Sequence, residues 1–220
     1  MAPSYPLPTL AAEVAACDAC PRLRKHCVAS AADPPRRFAG QTYWAKPVPG
    51  WGDAAGRLWI VGLAPAAHGG NRTGLTLCGD RSGDFLFDRL RRHGFADARG
   101  RPTACYLSNA VKCAPPGNKP TAGEFLACRR WMVAEWAALA EVRVVLALGR
   151  LAWDATCRTA IDLDHLDRVP PFAHAAEIAL ADRTLVGCYH TSQQNTFTGR
   201  LTPQMLGRVV ARCRRLTDAA

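Results

Sequence analysis

Four apolar runs, each followed by a polar loop and then by a helical pattern, constrain the fold of this chain most strongly. The runs cover residues 58–63, 105–111, 142–148 and 184–189. Strands that alternate with helices are joined by right-handed crossovers and form a parallel sheet that is covered on both faces. We therefore predict a three-layer α/β/α sandwich with a central four-stranded parallel sheet. Ligands of such folds bind beyond the carboxyl ends of the strands.

The helical patterns begin near residues 82, 121, 150 and 203. Thr121 and Glu124 fit a capping box, in which each side chain accepts a hydrogen bond from a backbone amide at the helix start. Residues 1–56 contain one short helical pattern, at 10–16, and are predicted to wrap on the body as an arm. We expect a single domain over residues 1–220, with this arm at 1–56 and an α/β core at 57–216.

The composition suits a globular chain with a polyanionic partner. With 220 residues, 49% of them hydrophobic, the chain is long enough to bury a core. Its formal charge of +10 favours nucleic acid, because Lys and Arg gain affinity by releasing phosphate counterions. A membrane surface is the weaker alternative, and a solvated basic surface without a partner stays open. No stretch reaches membrane-spanning length and residues 1–10 lack a signal-peptide pattern, so we expect a cytoplasmic protein.

Ten cysteines are many for a cytoplasmic chain, where disulfides are rare, so several are predicted to be metal ligands. Cys17 and Cys20 place two thiolates on one short turn. Cys113 ends the second strand and Cys128 lies early in the following helix, so both can fold toward one point. Their spacing is too wide for a zinc ribbon and suits an iron–sulfur cluster better. The alternatives are zinc, Cys27 as a rival fourth ligand, and a purely structural role for the second pair.

Two further loops carry groups typical of an active site. The loop at residues 62–74 follows the first strand, and its glycines leave backbone amides free to line a pocket for a flat ring or an anion. Asp80 closes this loop, although a helix dipole alone also favours an aspartate there. The loop at residues 189–202 is rich in hydrogen-bonding side chains and places His190 at the end of a strand. A structural role is the alternative for this histidine.

These segments together resemble the type 5, or B-type, uracil-DNA glycosylases of bacteria and archaea. The segments are Gly62-Leu-Ala-Pro-Ala-Ala-His-Gly69, Gly79-Asp80, Cys113-Ala-Pro-Pro-Gly-Asn-Lys-Pro120 and residues 190–201. With the two N-terminal cysteines and residues 43–50 included, the resemblance covers most of the chain. It implies the uracil-glycosylase fold and a DNA-repair enzyme that excises uracil, and often other deaminated bases such as hypoxanthine or xanthine. It also implies a [4Fe–4S] cluster on Cys17, Cys20, Cys113 and Cys128.

The same resemblance assigns roles to individual residues. The family's catalytic residues fall on Asp80, Asn118 and His190. We expect base-binding positions at Gly62, Ala64, His68, Phe85 and Asn109. We expect DNA contacts at Arg72, Gln194, Asn195, Phe197 and Arg200. An apolar wedge, Phe197 or Leu201, would fill the vacated base stack, and packing against its own loop is the alternative for Phe197.

Three positions depart from the family pattern. Leu77 stands where relatives carry an aromatic residue, Cys78 where they carry threonine, and Thr191 where a proline or small apolar residue is common. Stacking on the base is therefore expected to be weaker or to come from Phe85. Asn109 is similar to a base-reading asparagine of the type 4 enzymes and is expected to sharpen the preference for uracil.

Two other classes of protein compete with this interpretation. An iron–sulfur redox enzyme would be expected to carry a flavin or nicotinamide motif, and none is visible in the sequence. A zinc-bound, non-catalytic DNA-binding protein is the second alternative. We expect the protein to act as a monomer on DNA.

Overall fold

A computed structural model describes residues 6–219 of the chain. Residues 1–5 and Ala220 lie outside the described part. The prediction that residues 1–10 lack a signal peptide therefore falls partly outside it. Six strands form one sheet: β1 (Trp51–Gly52), β2 (Leu58–Gly62), β3 (Cys105–Asn109), β4 (Val144–Leu148), β5 (Glu177–Leu180) and β6 (Arg183–Cys188). Their order across the sheet is β1-β3-β2-β4-β6-β5.

Eight α-helices accompany the sheet within residues 6–219. They are α1 (Leu7–Ala15), α2 (Pro21–Ala32), α3 (Gly70–Thr73), α4 (Arg81–Arg92), α5 (Ala122–Ala138), α6 (Arg150–Asp162), α7 (Gln193–Phe197) and α8 (Pro203–Asp218). Two 3₁₀ turns, Arg36–Phe38 and Pro116–Asn118, lie in loops. The capping box predicted at the start of α5 is confirmed, with both of its hydrogen bonds formed. No helix in this part of the chain is long and apolar enough to cross a membrane.

The four-stranded parallel core of the predicted sheet is confirmed. β3, β2, β4 and β6 pair in parallel, so their carboxyl ends meet at one edge. β1 and β5 add antiparallel edges that the sequence did not predict. β1 has only two residues, and β5 exposes two of its four, so neither forms the apolar run that reveals the central strands.

Side chains of the parallel strands alternate between two buried faces, because successive residues of a strand point to opposite sides of the sheet. On β4, Val144, Leu146 and Leu148 pack with α4 and α8. Val145 and Ala147 pack with α5 and α6 on the other face. The three layers are therefore one helix pair, the sheet and a second helix pair. Because both faces are buried, the strands appear in the sequence as continuous apolar runs.

The N-terminal arm contains more structure than the sequence predicted. α1 matches the predicted helical segment, but α2 was not predicted, and the expectation of irregular chain there is wrong. α2 fully buries only Leu23 and Cys27, one turn apart, so its apolar signal is weak. Both helices share a third apolar cluster with the first half of α5. This arm cluster contains Leu10, Val14, Leu23, Cys27, Val111, Cys113, Ala114, Cys128 and Trp131.

Candidate functional site

A cleft of about 880 Å³ opens at the carboxyl ends of the parallel strands. The loops after β2 and β3 contribute His68, Asp80 and Asn118 to its walls. α7 and the N-terminal arm contribute Gln193, Arg37 and Phe38. The structure thus brings three of the predicted site residues, His68, Asp80 and Asn118, into one cavity, although they lie far apart in the sequence.

Asp80 is held at the N-terminus of α4. Its Oδ1 accepts a hydrogen bond from the Gly83 amide at 3.0 Å, so the residue caps the helix. Its Oδ2 lies close to Gly69, where a Cβ would be 2.2 Å from that oxygen. The capping role suggested as an alternative therefore occupies one carboxylate oxygen. The other oxygen has no hydrogen-bond donor among residues 6–219 and is available to a ligand.

Asn118 projects from a tight turn between β3 and α5. Gly117 and Asn118 have φ angles of 59° and 58° in this turn. Such left-handed backbone suits glycine, and asparagine adopts it more readily than most residues. Asn118 is exposed, so the turn presents a polar side chain to the cleft and contributes nothing to the core. Unusual backbone held in this way is typical of functional sites.

His68 faces the cleft and is oriented by the N-terminal arm. Its Nδ1 lies 3.0 Å from the Tyr43 hydroxyl, and its ring stacks on Phe38 with the centroids 6.2 Å apart. Burial lowers the pKa of His68, and the charges of neighbouring cations act in the same direction. The imidazole is therefore neutral near pH 7.

His190 follows β6 and lies within electrostatic reach of the cleft. Its Nδ1 accepts a hydrogen bond from the Ser192 amide at 3.0 Å, so the neutral ring carries its proton on Nε2. Burial lowers the pKa of His190, and the negative charge of Asp80 opposes this effect. The structure therefore presents a neutral imidazole that donates through Nε2. The Gly149 backbone passes so close that a Cβ there would be 3.0 Å from the Cβ of His190.

Asn109 ends β3 and is almost completely buried beside Gly62 of β2. Gly62 has no room for a side chain, because a Cβ there would be 2.4 Å from Oδ1 of Asn109. The Asn109 Nδ2 group donates to Thr76 Oγ1 at 3.2 Å, whereas Oδ1 is buried without a hydrogen-bond partner among residues 6–219. A buried polar atom in this state costs about 1–3 kcal/mol. Asn109 is not among the residues that line the cleft, so a contact between this acceptor and a base stays a prediction.

The segment after β6 exposes one large apolar side chain. Phe197 is 70% exposed at the end of α7, and the Arg81 guanidinium lies 5.9 Å from its ring centroid. Phe197 is thus too exposed for the alternative of packing within its own loop. Leu201, the other predicted wedge, is fully buried in the core with α4 and α8, and that prediction is wrong.

Gln194 and Arg200 lie exposed in the same segment, and the Arg200 guanidinium stacks over a ring, 4.8 Å from the centroid of Tyr189. Asn195 donates to the His190 carbonyl at 2.8 Å and so braces the segment.

Arg72 also has a bracing position in the structure. Its guanidinium donates to the carbonyls of His68 and Gly79 and to the Gln41 side chain, over 2.9–3.0 Å. These bonds tie the loop after β2 to the arm. A phosphate contact by Arg72 stays a prediction, and it would have to form beside these bonds.

Arg37 and Phe38 are among the cleft-wall residues that were missed in the sequence. Arg37 is exposed and has neither a hydrogen bond nor a carboxylate partner among residues 6–219. The guanidinium groups of Arg37 and Arg72 lie 4.8 Å and 4.3 Å from the ring centroid of Phe38. The available signal in the sequence was the pair of adjacent arginines followed by Phe38, which is typical of a nucleic-acid contact. Nothing in the sequence indicated that this segment lies beside Asp80.

Two predicted base-binding residues have mainly packing contacts. Ala64 packs against the arm cluster, and Phe85 packs against the core cluster of α4 and α8. Both are half-buried, and neither is among the residues that line the cleft. Their contact with a base stays a prediction.

The four predicted ligand cysteines come together in the arm cluster. Cys113 and Cys128 are each 5% exposed, and Cys17 and Cys20 are half-buried against the same cluster. Burial raises the pKa of Cys128, and the charges of Cys20 and Cys17 act in the same direction. Cys27, the rival ligand, is fully buried and hydrogen-bonded to Cys113. No three His, Cys, Asp or Glu side chains in residues 6–219 are arranged to hold a metal ion.

Basic groups surround these thiols. Arg130 Nη2 donates to the Cys17 Sγ at 3.3 Å. A backbone hydrogen bond from Lys112 and its positive charge both favour the thiolate form of Cys128. The positive charge of Arg24 favours the thiolate forms of Cys27 and Cys113. A set of four thiols with such neighbours fits the sulfur ligands of an iron–sulfur cluster or of zinc.

The fold and the cleft define an α/β protein with a polar site at the carboxyl ends of its parallel strands. The profile of the uracil DNA glycosylase superfamily matches residues 49–214. The chain therefore belongs to the uracil-DNA glycosylase superfamily, and its similar proteins carry the name type-5 uracil-DNA glycosylase. The resemblance found in the sequence motifs is thereby confirmed.

Three of these relatives show how much of the chain is shared. The protein of Mycobacterium leprae is 47% identical over an alignment of 210 residues that covers 91% of each chain. That of Thermus thermophilus is 44% identical over 215 residues, covering 91% of this chain and 94% of the relative. That of Pyrobaculum aerophilum is 40% identical over 204 residues, covering 89% and 87%.

Proposed function

We propose that this protein removes uracil from DNA by hydrolysing its N-glycosidic bond, which leaves an abasic site. Nearly full-length similarity to type-5 uracil-DNA glycosylases supports this activity. The cleft supports the assignment of catalytic roles to three residues. Asp80 and Asn118 both line it, within electrostatic reach of a neutral His190. We propose one cytoplasmic, monomeric domain over residues 1–220, with the arm at 1–56 and the core at 57–216.

Recognition of the base begins with extrusion of the nucleotide, because the reacting atoms of a stacked base cannot reach the cleft. Uracil presents an N3–H donor between two carbonyl groups. The unpaired Oδ1 of Asn109 is a suitable acceptor for this N–H, and Thr76 orients its amide. Hypoxanthine and xanthine also carry an N–H next to a carbonyl, so this contact alone admits them as secondary substrates. Gly62, Ala64, His68 and Phe85 complete the proposed base-binding set.

Hydrolysis develops two charges that need partners. As the C1′–N1 bond breaks, the sugar becomes cationic and the uracil leaves as an anion. His190 donates through Nε2 to a carbonyl of the leaving base and so stabilises the anion. The free oxygen of Asp80 stabilises the sugar cation or orients the attacking water, and Asn118 helps to place that water. The water oxygen bonds to C1′, and a water proton ends on uracil.

The segment after β6 is the proposed DNA-contacting surface. The exposed Phe197 enters the vacated base stack as a wedge. Arg200 and Arg72 meet phosphates, and Gln194 and Asn195 provide further polar contacts to the strand.

We further propose that Cys17, Cys20, Cys113 and Cys128 hold a [4Fe–4S] cluster. The observation in favour is the donor set itself, two buried thiols of the arm cluster and two half-buried thiols packed against it, with basic neighbours. Thiolates of such a cluster bind different irons, so their sulfurs do not have to meet around one ion. When bound, the cluster supplies a cross-link between the arm and α5, and glycoside hydrolysis requires no electron from it. Asn118 follows Cys113 by five residues, so this cross-link also positions the catalytic turn.

A strand-cleavage assay tests the activity. Oligonucleotides with one uracil, hypoxanthine or xanthine, single-stranded and in duplex, are incubated with the enzyme and then treated with alkali, which breaks abasic sites. We expect uracil strands to be cleaved fastest. Intact uracil strands after incubation with folded, iron-loaded protein would overturn the proposed activity. Broad visible absorbance of the purified protein distinguishes an iron–sulfur cluster from zinc.

A further inference from the structure

Two buried N–H groups near the proposed ligand cysteines have no hydrogen-bond partner within residues 6–219. They are Nη1 of Arg24 and Nε1 of Trp131. Buried donors are nearly always paired in folded proteins, so each unpaired one requires an explanation. Trp131 belongs to the arm cluster together with Cys113 and Cys128, and the charge of Arg24 acts on Cys113. Both unpaired donors therefore lie in the region of the proposed ligands.

Helix geometry explains why both donors share this region. Trp131 follows Cys128 by three residues in α5, and residues three or four apart lie on one face of a helix. Arg24 lies in the first turn of α2, where its backbone amide donates to the Cys20 carbonyl at 3.0 Å. Each donor is thus one helical turn from a different proposed ligand. α2 and α5 are far apart in the sequence, yet they place both donors beside the same group of proposed ligand cysteines.

One hydrogen bond of the expected kind is already formed in the structure. The Arg130 guanidinium donates to Sγ of Cys17 at 3.3 Å and lies 4.5 Å from the ring centroid of Trp131. Sulfur atoms of a cluster are acceptors, and hydrogen bonds to them are among the factors that set its reduction potential. The two unpaired donors are complementary to such acceptors.

Building on the cluster proposed above, we propose that Arg24 and Trp131 donate hydrogen bonds to its sulfur atoms. These bonds would withdraw electron density from sulfur, which raises the reduction potential. They would also stabilise the negative charge of the bound cluster, which favours retention of iron in the site. Arg24 and Trp131 are thus positioning residues of the cofactor and do not touch the substrate.

Variants Arg24→Met and Trp131→Phe, prepared as iron-loaded protein, test this role. We expect each to release iron to excess EDTA roughly tenfold faster than the wild type, because hydrogen bonds to charged groups are among the stronger ones. The reduction potential is expected to fall in both. Arg24→Lys keeps a cationic donor and should recover part of the loss.

Two matched controls separate these effects from general damage. Lys25→Met removes a charge from the exposed neighbouring position. Trp153→Phe removes an indole N–H that donates to the Pro170 carbonyl at 3.0 Å, in an apolar cluster that contains none of the four proposed ligand cysteines. Both should release iron at the wild-type rate. Circular dichroism confirms folding, and Trp131→Phe remains a complete test if Arg24→Met fails to fold.

Wild-type iron release and potential in both Arg24→Met and Trp131→Phe would overturn the inference. Absence of iron from the wild-type protein would overturn it together with the proposed cluster. A protein that holds iron and shows the expected shifts, yet leaves uracil strands intact, would refute the proposed activity and support this role of the two donors.

Discussion

The loop after β3 joins the cleft to the arm cluster, yet the polar groups of the two regions differ in their hydrogen bonding. Asp80 of the cleft wall and the nearby His190 each have one atom held by a backbone amide and another without a hydrogen-bond partner among residues 6–219. At the arm cluster, thiols lie in apolar packing, and the buried donors of Arg24 and Trp131 have no partner among residues 6–219. The first arrangement suits a substrate that enters and leaves. The second suits a resident group, and substitutions in the two regions should therefore affect different properties.

Asp80→Asn should separate the two regions most sharply. Asparagine still caps α4, so stability should hold, but the negative charge near the sugar is lost. We expect the single-turnover rate of uracil excision to fall about a hundredfold or more. Asp80→Ala, which also loses the cap, should fall similarly in rate and additionally lose about 1 kcal/mol of unfolding free energy. A near wild-type rate for Asp80→Asn would remove the carboxylate from the chemistry.

His190→Ala is expected to slow excision about a hundredfold and to change the pH dependence of stability. The folded-state pKa of His190 lies below its usual 6.5, so below that pH the unfolded chain binds a proton that the folded protein does not. The stability from this neutral form is therefore present above pH 6.5 and declines as the pH falls below it. Urea unfolding between pH 5 and 8 should show a weaker acid decline in the variant. The wild-type enzyme should remain active as the pH falls below 6.5. An enzyme that is inactive at or above pH 6.5, where the imidazole is neutral, would contradict a neutral donor.

Cys113→Ser should affect stability first and rate second. Loss of a ligand should remove the visible absorbance and lower the unfolding free energy by on the order of 2 kcal/mol, as for other structural cross-links. The single-turnover rate should fall less than in Asp80→Asn. Cys27→Ser is the matched control and should keep its iron. If Cys27→Ser loses iron while Cys113→Ser retains it, Cys27 is the ligand.

Arg37→Ala should have the smallest effect and should concern only DNA binding. Because Arg37 is an exposed cation of the cleft wall, we expect it to contact a phosphate of the bound strand. Loss of one phosphate contact reduces the slope of log affinity against log salt by about 1. Binding to uracil DNA should weaken severalfold at low salt, with kcat unchanged. Arg99→Ala, at an exposed turn before β3 and away from the cleft, is the control and should bind like the wild type. An unchanged salt slope for Arg37→Ala would place the arm outside the interface.

Much of this molecule was predictable because the relevant physics is local. A buried parallel strand needs an apolar run, so the four central strands could be read from the sequence. A ligand pair needs two cysteines on one turn, and this pattern predicted Cys17 with Cys20 as ligands, which stays a prediction. α2 was missed because only Leu23 and Cys27 are fully buried on it. The edge strands were missed because they are short or exposed.

By itself, the sequence determined the layered fold, the family, and the residue types available at the strand ends. The tertiary structure alone decided which side chains meet and which atoms remain free. It buried Leu201 and brought Arg37 and Phe38 beside Asp80. It also left the buried Oδ1 of Asn109 without a partner in the described part of the chain. Burial and hydrogen-bond satisfaction depend on residues distant in the chain, and no local pattern encodes them. Only the tertiary structure distinguishes the cysteines at the arm cluster, which suit a bound cofactor, from the open cleft, which suits a substrate.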